Sequence, residues 1–190
     1  RNSFRLDVDD GDVIELAAWI RTALEPTTFH VRELGMPNLL LGRVNCSLRL
    51  DNLSADGLGV SLPTACRHTP KDMQRQALLV YIKLANPLNS SEEPLSLLLG
   101  CTVRALRHTE ERIYLGLHIV CEGVPDAGEK VVHLINVEKY GITDLTRWCD
   151  EKDRALRSGL RGMSTGLRME RLLSEIACAL GDGTADPGEP

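Results

Sequence analysis

Aromatic residues are scarce in this chain. Two Trp, three Tyr and two Phe make up 4% of its 190 residues. Proteins that bind single-stranded nucleic acid stack bases on sets of aromatic rings, and the net charge of −5 also lacks the broad positive potential that such a partner requires. We therefore expect no nucleic-acid polymer as a partner. A small anionic ligand remains compatible, because a few local arginines suffice to bind it.

The six cysteines include no C-x-x-C pair, because none lies within ten residues of another. A zinc site or a dithiol redox motif would need such close spacing. Cys66 and His68 lie near each other, but no second pair of ligands accompanies them at a suitable spacing. We expect no metal, no cofactor, and buried thiols in the reduced form that is usual in the cytoplasm.

Long apolar runs and recognisable catalytic groups are also missing. No run approaches the roughly 20 apolar residues of a membrane-spanning helix, and no signal-peptide pattern is present. The histidines are scattered singly, and neither a Ser-His-Asp arrangement, a Cys-His arrangement nor a pair of catalytic carboxylates can be argued from the spacing. We expect a cytoplasmic protein that spans no membrane and is not an enzyme.

An amphipathic pattern follows the acidic stretch near the start of the chain. Asp12 with Glu15 three residues later resembles a capping box, and Pro26 would end a helix. The pattern predicts an inserted N-terminal helix over about residues 12–25, followed by a segment without a period up to residue 42. Its apolar stripe consists of Val13, Leu16, Ala17, Ile20 and Leu24.

From Arg43 the apolar period changes to two, which is typical of a strand with one wet face. Turn-forming residues then separate further short apolar runs, and the last two runs form a hairpin. Several short strands joined by turns predict a small antiparallel β-barrel, so the fold is expected to be mainly β with helices. The predicted strands cover residues 43–50, 58–62, 76–85, 95–107 and 113–120.

After Gly123 the pattern becomes helical. One predicted helix carries Leu145, Trp148, Cys149 and Leu156 on one face, and a second carries Met169 to Leu180. Residues 1–123 are therefore expected to form the barrel, with the helical insertion at about 12–42, residues 124–181 a helical extension, and residues 182–190 a disordered tail. The arginine-rich stretch from Arg154 to Arg171 indicates either a solvated helix face or a partner surface.

Two short motifs complement each other chemically. The first is Arg1-Asn2-Ser3-Phe4-Arg5, and the second is Asn52-Leu53-Ser54-Ala55-Asp56-Gly57. Guanidinium groups pair with phosphate oxygens, stack on bases and donate to guanine O6 and N7. An Asn amide and a Ser hydroxyl offer donors and acceptors to a base edge, and Gly57 lets the backbone approach a flat ligand. Either motif alone is common, and the second is typical of any hairpin turn.

Together the motifs resemble the PilZ family, whose signature is R-x-x-x-R followed by [D/N]-x-S-x-x-G. The resemblance covers roughly residues 1–5 and 43–120, including Gly57-Leu58-Gly59-Val60 and Tyr114-Leu115-Gly116-Leu117-His118. It implies a six-stranded barrel with a following helix in a bacterial receptor that binds the second messenger cyclic di-GMP. By this likeness Arg1 and Arg5 hold phosphates and guanine, while Asn52, Ser54 and Gly57 shape the pocket.

The resemblance leaves the role of the chain open in one respect. The alternative is a degenerate module of the same fold that binds no nucleotide and docks on a motility or secretion assembly. The chain begins with Arg1 rather than Met, so we expect a protein partner or an upstream domain to receive the signal. A homodimer is the other partner that the final apolar stripe allows.

Overall fold

The computed structural model describes residues 5–42, 47–66, 73, 76–88, 92–126 and 130–158. Short 3-10 turns occupy Asp10–Asp12 and Val31–Leu34, and helix α1 covers residues 143–158. The chain divides into two compact units, Arg1–Glu151 and Lys152–Pro190, and the sheet lies in the first. The strands are β1 Leu6–Asp7, β2 Val13–Arg21, β3 Thr28–His30, β4 Leu39–Leu40, β5 Arg49–Ser54, β6 Gly57–Pro63, β7 Ala77–Leu84, β8 Leu95–His108, β9 Arg112–Pro125 and β10 Val131–Asn136.

All strands join one curled antiparallel sheet. Its path is β1-β5-β6-β9-β8-β7-β2-β4, and β10 pairs with β9 and β3. Leu40 at the end of the path bridges Ser47, and the Leu48 amide donates to the Leu40 carbonyl at 2.9 Å, so the path returns to the chain that enters β5. The prediction of a mainly antiparallel, barrel-like β fold is confirmed at this level. The described residues form ten strands rather than the six predicted.

The core lies on the inner face of the curled sheet. In β6 the inner positions are Leu58, Val60 and Leu62, each at most 1% exposed, while Gly57, Gly59 and Ser61 alternate on the outer face. Full burial of such a side chain contributes roughly 1.5–3 kcal/mol. The period of two therefore fixes which face of each strand can meet a ligand.

The predicted helix over residues 12–25 is wrong, because β2 occupies this segment and pairs with β7. Leu16 and Ala18 of β2 enter the main core, whereas Trp19 on the other face packs against a second cluster formed by Phe29, Leu79 and Val132. A strand covered on both faces does not alternate between apolar and polar residues. The apolar run of β2 also matched a helical stripe by chance, and cross-strand pairing overrode that local pattern.

The C-terminal region matches the prediction in part. Residues 131–136 form β10, so the helical pattern expected directly after Gly123 is wrong there. Helix α1 is present, with Leu145, Trp148 and Cys149 buried, and Leu156 is 41% exposed. The second predicted helix, the predicted tail and the arginines beyond residue 158 lie outside the described residues. No helix in the described part of the chain combines the length and hydropathy needed to cross a lipid bilayer.

The cysteines agree only partly with the expectation of reduced thiols. Cys101, Cys121 and Cys149 are free and buried, whereas Cys66 is disulfide-bonded. Burial raises the pKa of these three thiols, so the environment favours the protonated, weakly nucleophilic form.

Candidate functional site

A row of very small residues crosses the outer face of three adjacent strands. Asn52 of β5 pairs with Gly59 of β6, Gly59 pairs with Gly116 of β9, and Gly116 pairs with Ala105 of β8. Asp7 of β1 pairs with Asn52 at the other end of the row. From Gly59 to Ala105 no side chain in this row is larger than a methyl group. The sheet therefore presents a flat strip of backbone to the outside.

This strip is the floor of a cleft of about 340 Å³, which we call the Asn52 cleft. Its volume lies near the lower end of the range of roughly 300–1,000 Å³ that ligand pockets occupy. Polar and charged side chains line it together with the small residues of the floor. The cleft is lined by Arg5, Asp51, Asn52, Gly59, Val60, Ala105, Leu106, Arg107, Tyr114, Leu115 and Gly116.

The side-chain amide of Asn52 lies directly over Gly59. A Cβ added to Gly59 would be 2.5 Å from both Oδ1 and Nδ2 of Asn52, so only glycine fits beneath the amide. The Asn52 Oδ1 is buried and has no hydrogen-bond partner among the described residues. An unpaired buried acceptor is costly, commonly about 1–3 kcal/mol. The Asn52 amide is thus placed in the cleft with unused capacity for hydrogen bonding.

Arg5 reaches the same cleft because β1 pairs with β5. The register joins Leu6 to Leu53 and Asp7 to Asn52, which places Arg5 next to the strand that carries Asn52. Arg5 is exposed and lines the cleft. The structure therefore brings together two of the predicted site residues, one from each motif. Arg1, the other predicted arginine, lies outside the described residues.

Ser54 and Gly57 lie in the hairpin rather than among the residues that line the cleft. Ser54 is 1% exposed, and its hydroxyl donates to Asp56 Oδ1 at 2.9 Å. A Cβ on Gly57 would be 2.7 Å from the Leu117 carbonyl oxygen of β9, so the close approach of these strands requires glycine. These two residues hold the hairpin that presents Asn52.

Two residues that sequence reasoning missed form the far edge of the cleft. Arg107 of β8 pairs with Tyr114 of β9, and the guanidinium carbon lies 4.7 Å from the centre of the Tyr114 ring. The period of two in β9 places Tyr114 on the same face as Gly116, and this pattern could have indicated that Tyr114 faces outward. Arg107 was harder to place, because a register shift between Val103 and Ala105 changes the face of its strand.

A polar chain supports the acidic side of the cleft. Ser61 donates to Asp51 Oδ1 at 3.0 Å, and Arg112 Nε donates to Ser61 Oγ at 3.0 Å. Arg49 Nε lies 3.7 Å from the same Asp51 oxygen. The one carboxylate that lines the cleft beside Arg5 is thus held by a hydroxyl and a cation, which reduces its repulsion of an anionic ligand.

The described residues contain no group of three or more His, Cys, Asp or Glu side chains placed to hold a metal ion. The Asn52 cleft offers instead guanidinium groups, a carboxamide, a phenol ring and a flat backbone floor. These groups can bind a planar, anionic, hydrogen-bonding molecule. Comparison of the chain with protein-family models, curated proteins and solved structures found no match.

Proposed function

We propose that this chain is a non-catalytic receptor that binds cyclic di-GMP in the Asn52 cleft. The observation that carries the proposal is the Asn52 amide, which lies over Gly59 with its Oδ1 unpaired among the described residues, beside an exposed Arg5. The two PilZ-like signature motifs supply one of these side chains each, and the pairing of β1 with β5 brings the two side chains to one cleft.

The chemistry of each group suits one part of the nucleotide. The Arg5 guanidinium would form charge-assisted hydrogen bonds with phosphate oxygens. The Asn52 amide would pair with a guanine edge, since it offers both a donor and an acceptor. The floor at Gly116 allows a flat base to approach the backbone closely. By the PilZ resemblance, Arg1 would join Arg5 at the phosphates.

Signalling follows from where the arginines lie in the chain. Arg5 directly precedes β1, so a ligand that gathers Arg1 and Arg5 fixes the path of the chain entering the sheet. Conformations that differ in ligand affinity are redistributed by binding. In this proposal the redistribution changes the affinity of the bacterial protein for a partner or repositions an upstream domain in the cytoplasm.

Isothermal titration with cyclic di-GMP tests the proposal. We expect saturable heat from the parent chain, and a loss of about 1.5–3 kcal/mol in Arg5→Ala, the value of a hydrogen bond to a charged group. That loss corresponds to roughly 10- to 150-fold weaker binding. Arg32→Ala is the matched control, because Arg32 is exposed in the turn Val31–Leu34, away from the cleft.

Two results would overturn the assignment. One is the absence of binding heat from the folded parent chain at high micromolar ligand. The other is Arg5→Ala binding cyclic di-GMP as tightly as the parent chain and the Arg32→Ala control.

The second candidate function is an interaction module of the same fold that binds no nucleotide. A separate cleft of about 410 Å³ favours it, because apolar side chains including Trp19, Val31, Leu34 and Leu98 line most of its wall. Val31 is 47% exposed there. This function predicts no heat with cyclic di-GMP and a stable complex with a partner protein in pull-down experiments. Val31→Asp should abolish that complex, whereas Arg5→Ala should not.

A further inference from the structure

The far edge of the Asn52 cleft carries an aromatic-supported arginine that belongs to neither signature motif. Arg107 lies over the Tyr114 ring, with 4.7 Å between the guanidinium carbon and the ring centre. Both residues line the cleft. Within the described residues Arg107 makes no ion pair, so its charge is not matched by a neighbouring carboxylate. A guanidinium stacked on one side keeps its other planar face and its N–H groups available.

A β-bulge puts Arg107 on this face of the sheet. Val103 pairs with Leu117, but the next pair is Ala105 with Gly116, so Arg104 is an extra residue in β8. Val103 is 7% exposed and belongs to the core. If the strand alternated strictly from Val103 onward, Arg107 would point inward as Val103 does. The extra residue moves Ala105 and Arg107 to the outer face instead, and such re-aiming of side chains is a known effect of bulges.

Arg5 and Arg107 stand at opposite ends of the floor. The row from Asn52 to Ala105 crosses three strand intervals, which is about 14 Å at roughly 4.8 Å per interval. A ligand that contacts both ends must therefore carry recognition groups that are separated by a comparable distance. Cyclic di-GMP has two guanine bases joined through a phosphate ring, so one base can pair with Asn52 while the other reaches Arg107.

We propose that Arg107, held flat by Tyr114, is a further ligand-binding residue that stacks on a guanine base of cyclic di-GMP. The proposal rests on the receptor function proposed above and adds a second recognition point to that site. Arg107 would supply a planar stacking face and hydrogen-bond donors, and Tyr114 would act as a positioning residue that keeps the guanidinium plane parallel to the base. Stacking of this kind needs planarity as well as charge.

Titrations of matched variants with cyclic di-GMP test this role. We expect Arg107→Ala to bind at least about tenfold more weakly than the parent chain, as loss of a stacked, charge-assisted contact implies. Arg107→Lys should recover little of that loss, because an ammonium group has no planar face. Tyr114→Leu removes the aromatic ring and should weaken binding in the parent chain but not in the Arg107→Ala background, because Tyr114 acts only through Arg107. Arg104→Ala is the control, since this exposed arginine precedes the cleft on the same strand and lies 3.8 Å from Glu138.

The outcomes separate this inference from the receptor function. If the parent chain binds, Arg5→Ala binds weakly and Arg107→Ala binds normally, the receptor function stands and the role of Arg107 is refuted. Full recovery in Arg107→Lys would refute stacking, as would equal losses in Arg107→Ala and Arg104→Ala, which would indicate general charge attraction. No binding by the folded parent chain would overturn both proposals. Circular dichroism of each variant establishes that it is folded.

Discussion

Substitution of Gly59 by alanine is the most direct test of the Asn52 cleft, because it adds a single methyl group beneath the Asn52 amide. The added Cβ would be 2.5 Å from Asn52 Oδ1 and Nδ2 and 2.7 Å from Asn52 Cγ. Carbon atoms in van der Waals contact lie about 3.5–4.0 Å apart. The Asn52 side chain, which supplies the three nearest atoms, must therefore leave its position.

The expected change in stability is small. An off-rotamer side chain costs about 0.5–1.5 kcal/mol, and replacement of a strand glycine by alanine returns roughly 0.5–1 kcal/mol of backbone entropy. The two terms nearly cancel. The expected change in affinity is larger, because a well-placed bidentate contact between a side chain and a base is worth about 1–3 kcal/mol. That range corresponds to roughly 5- to 150-fold weaker binding of cyclic di-GMP.

A double-mutant cycle with Asn52→Ala shows whether the effect passes through the Asn52 amide. Titration calorimetry gives the affinities of the parent chain, both single variants and the double variant. When Asn52 is already alanine, the new methyl group on Gly59 meets no amide, so the second substitution should cost almost nothing. Non-additivity of this kind is the signature of two residues that act through one contact. Gly11→Ala is the control, because its added Cβ would have no atom within 4 Å.

Parental affinity in Gly59→Ala would contradict the proposed contact, since the amide would then have no part in binding. Equal weakening of binding by this substitution in the Asn52→Ala background would contradict it as well. In that case the methyl group would obstruct the ligand directly, and the position of the Asn52 amide would be irrelevant. A large fall in the thermal midpoint would show that the backbone, rather than the Asn52 side chain, yields.

Two further predictions concern the framework. Gly57→Ala should destabilise the chain by about 1–3 kcal/mol in thermal denaturation, the usual cost of overpacking, because its Cβ would lie 2.7 Å from the Leu117 carbonyl oxygen; an unchanged midpoint would contradict the close approach of β6 and β9. Burial, aided by the carboxylate of Asp150, raises the pKa of Cys149 from 9.0 to about 11, so the folded chain binds this proton more tightly than the unfolded chain. The contribution of the Cys149 thiol to the free energy of unfolding should be complete below pH 9.0 and be lost as the pH rises to about 11. Urea midpoints measured across that range should therefore fall in the parent chain and fall less steeply in Cys149→Ala.

The strands that could be predicted from the sequence are short apolar runs bounded by turn or loop residues. Residues 58–62 and 76–85 were expected as strands, and the structure has Gly57–Pro63 and Ala77–Leu84. β2 could not be recognised in this way, because Leu16 and Trp19 face different apolar clusters and leave no polar alternation. β7 is likewise covered on both faces, with Leu78 in the main core and Leu79 in the second cluster. The loops that bound β7 at a strand's length identified it, whereas the apolar run of β2 also fits a helical stripe.

The site could be predicted only where its residues follow one another in the sequence. Arg5 and Asn52 came from local motifs, and both line the cleft. Arg107 and Tyr114 belong to it through the register of β8 with β9, which a bulge shifts by one residue. A bulge depends on how two strands pair, so the sequence of β8 alone does not reveal which way Arg107 points.

The Asn-x-Ser-x-x-Gly motif therefore encodes a register as much as a set of contacts. Ser54 pairs with Gly57 across a turn of two residues, and this pairing places Asn52 opposite Gly59 two positions further from the turn. The need for glycine at position 59 then follows from the amide that lies over it. A motif extended to include this second glycine should identify chains in which the amide lies flat on the sheet. Chains that keep the hairpin but carry a larger residue at this position would retain the fold while their Asn side chain is turned out of the cleft.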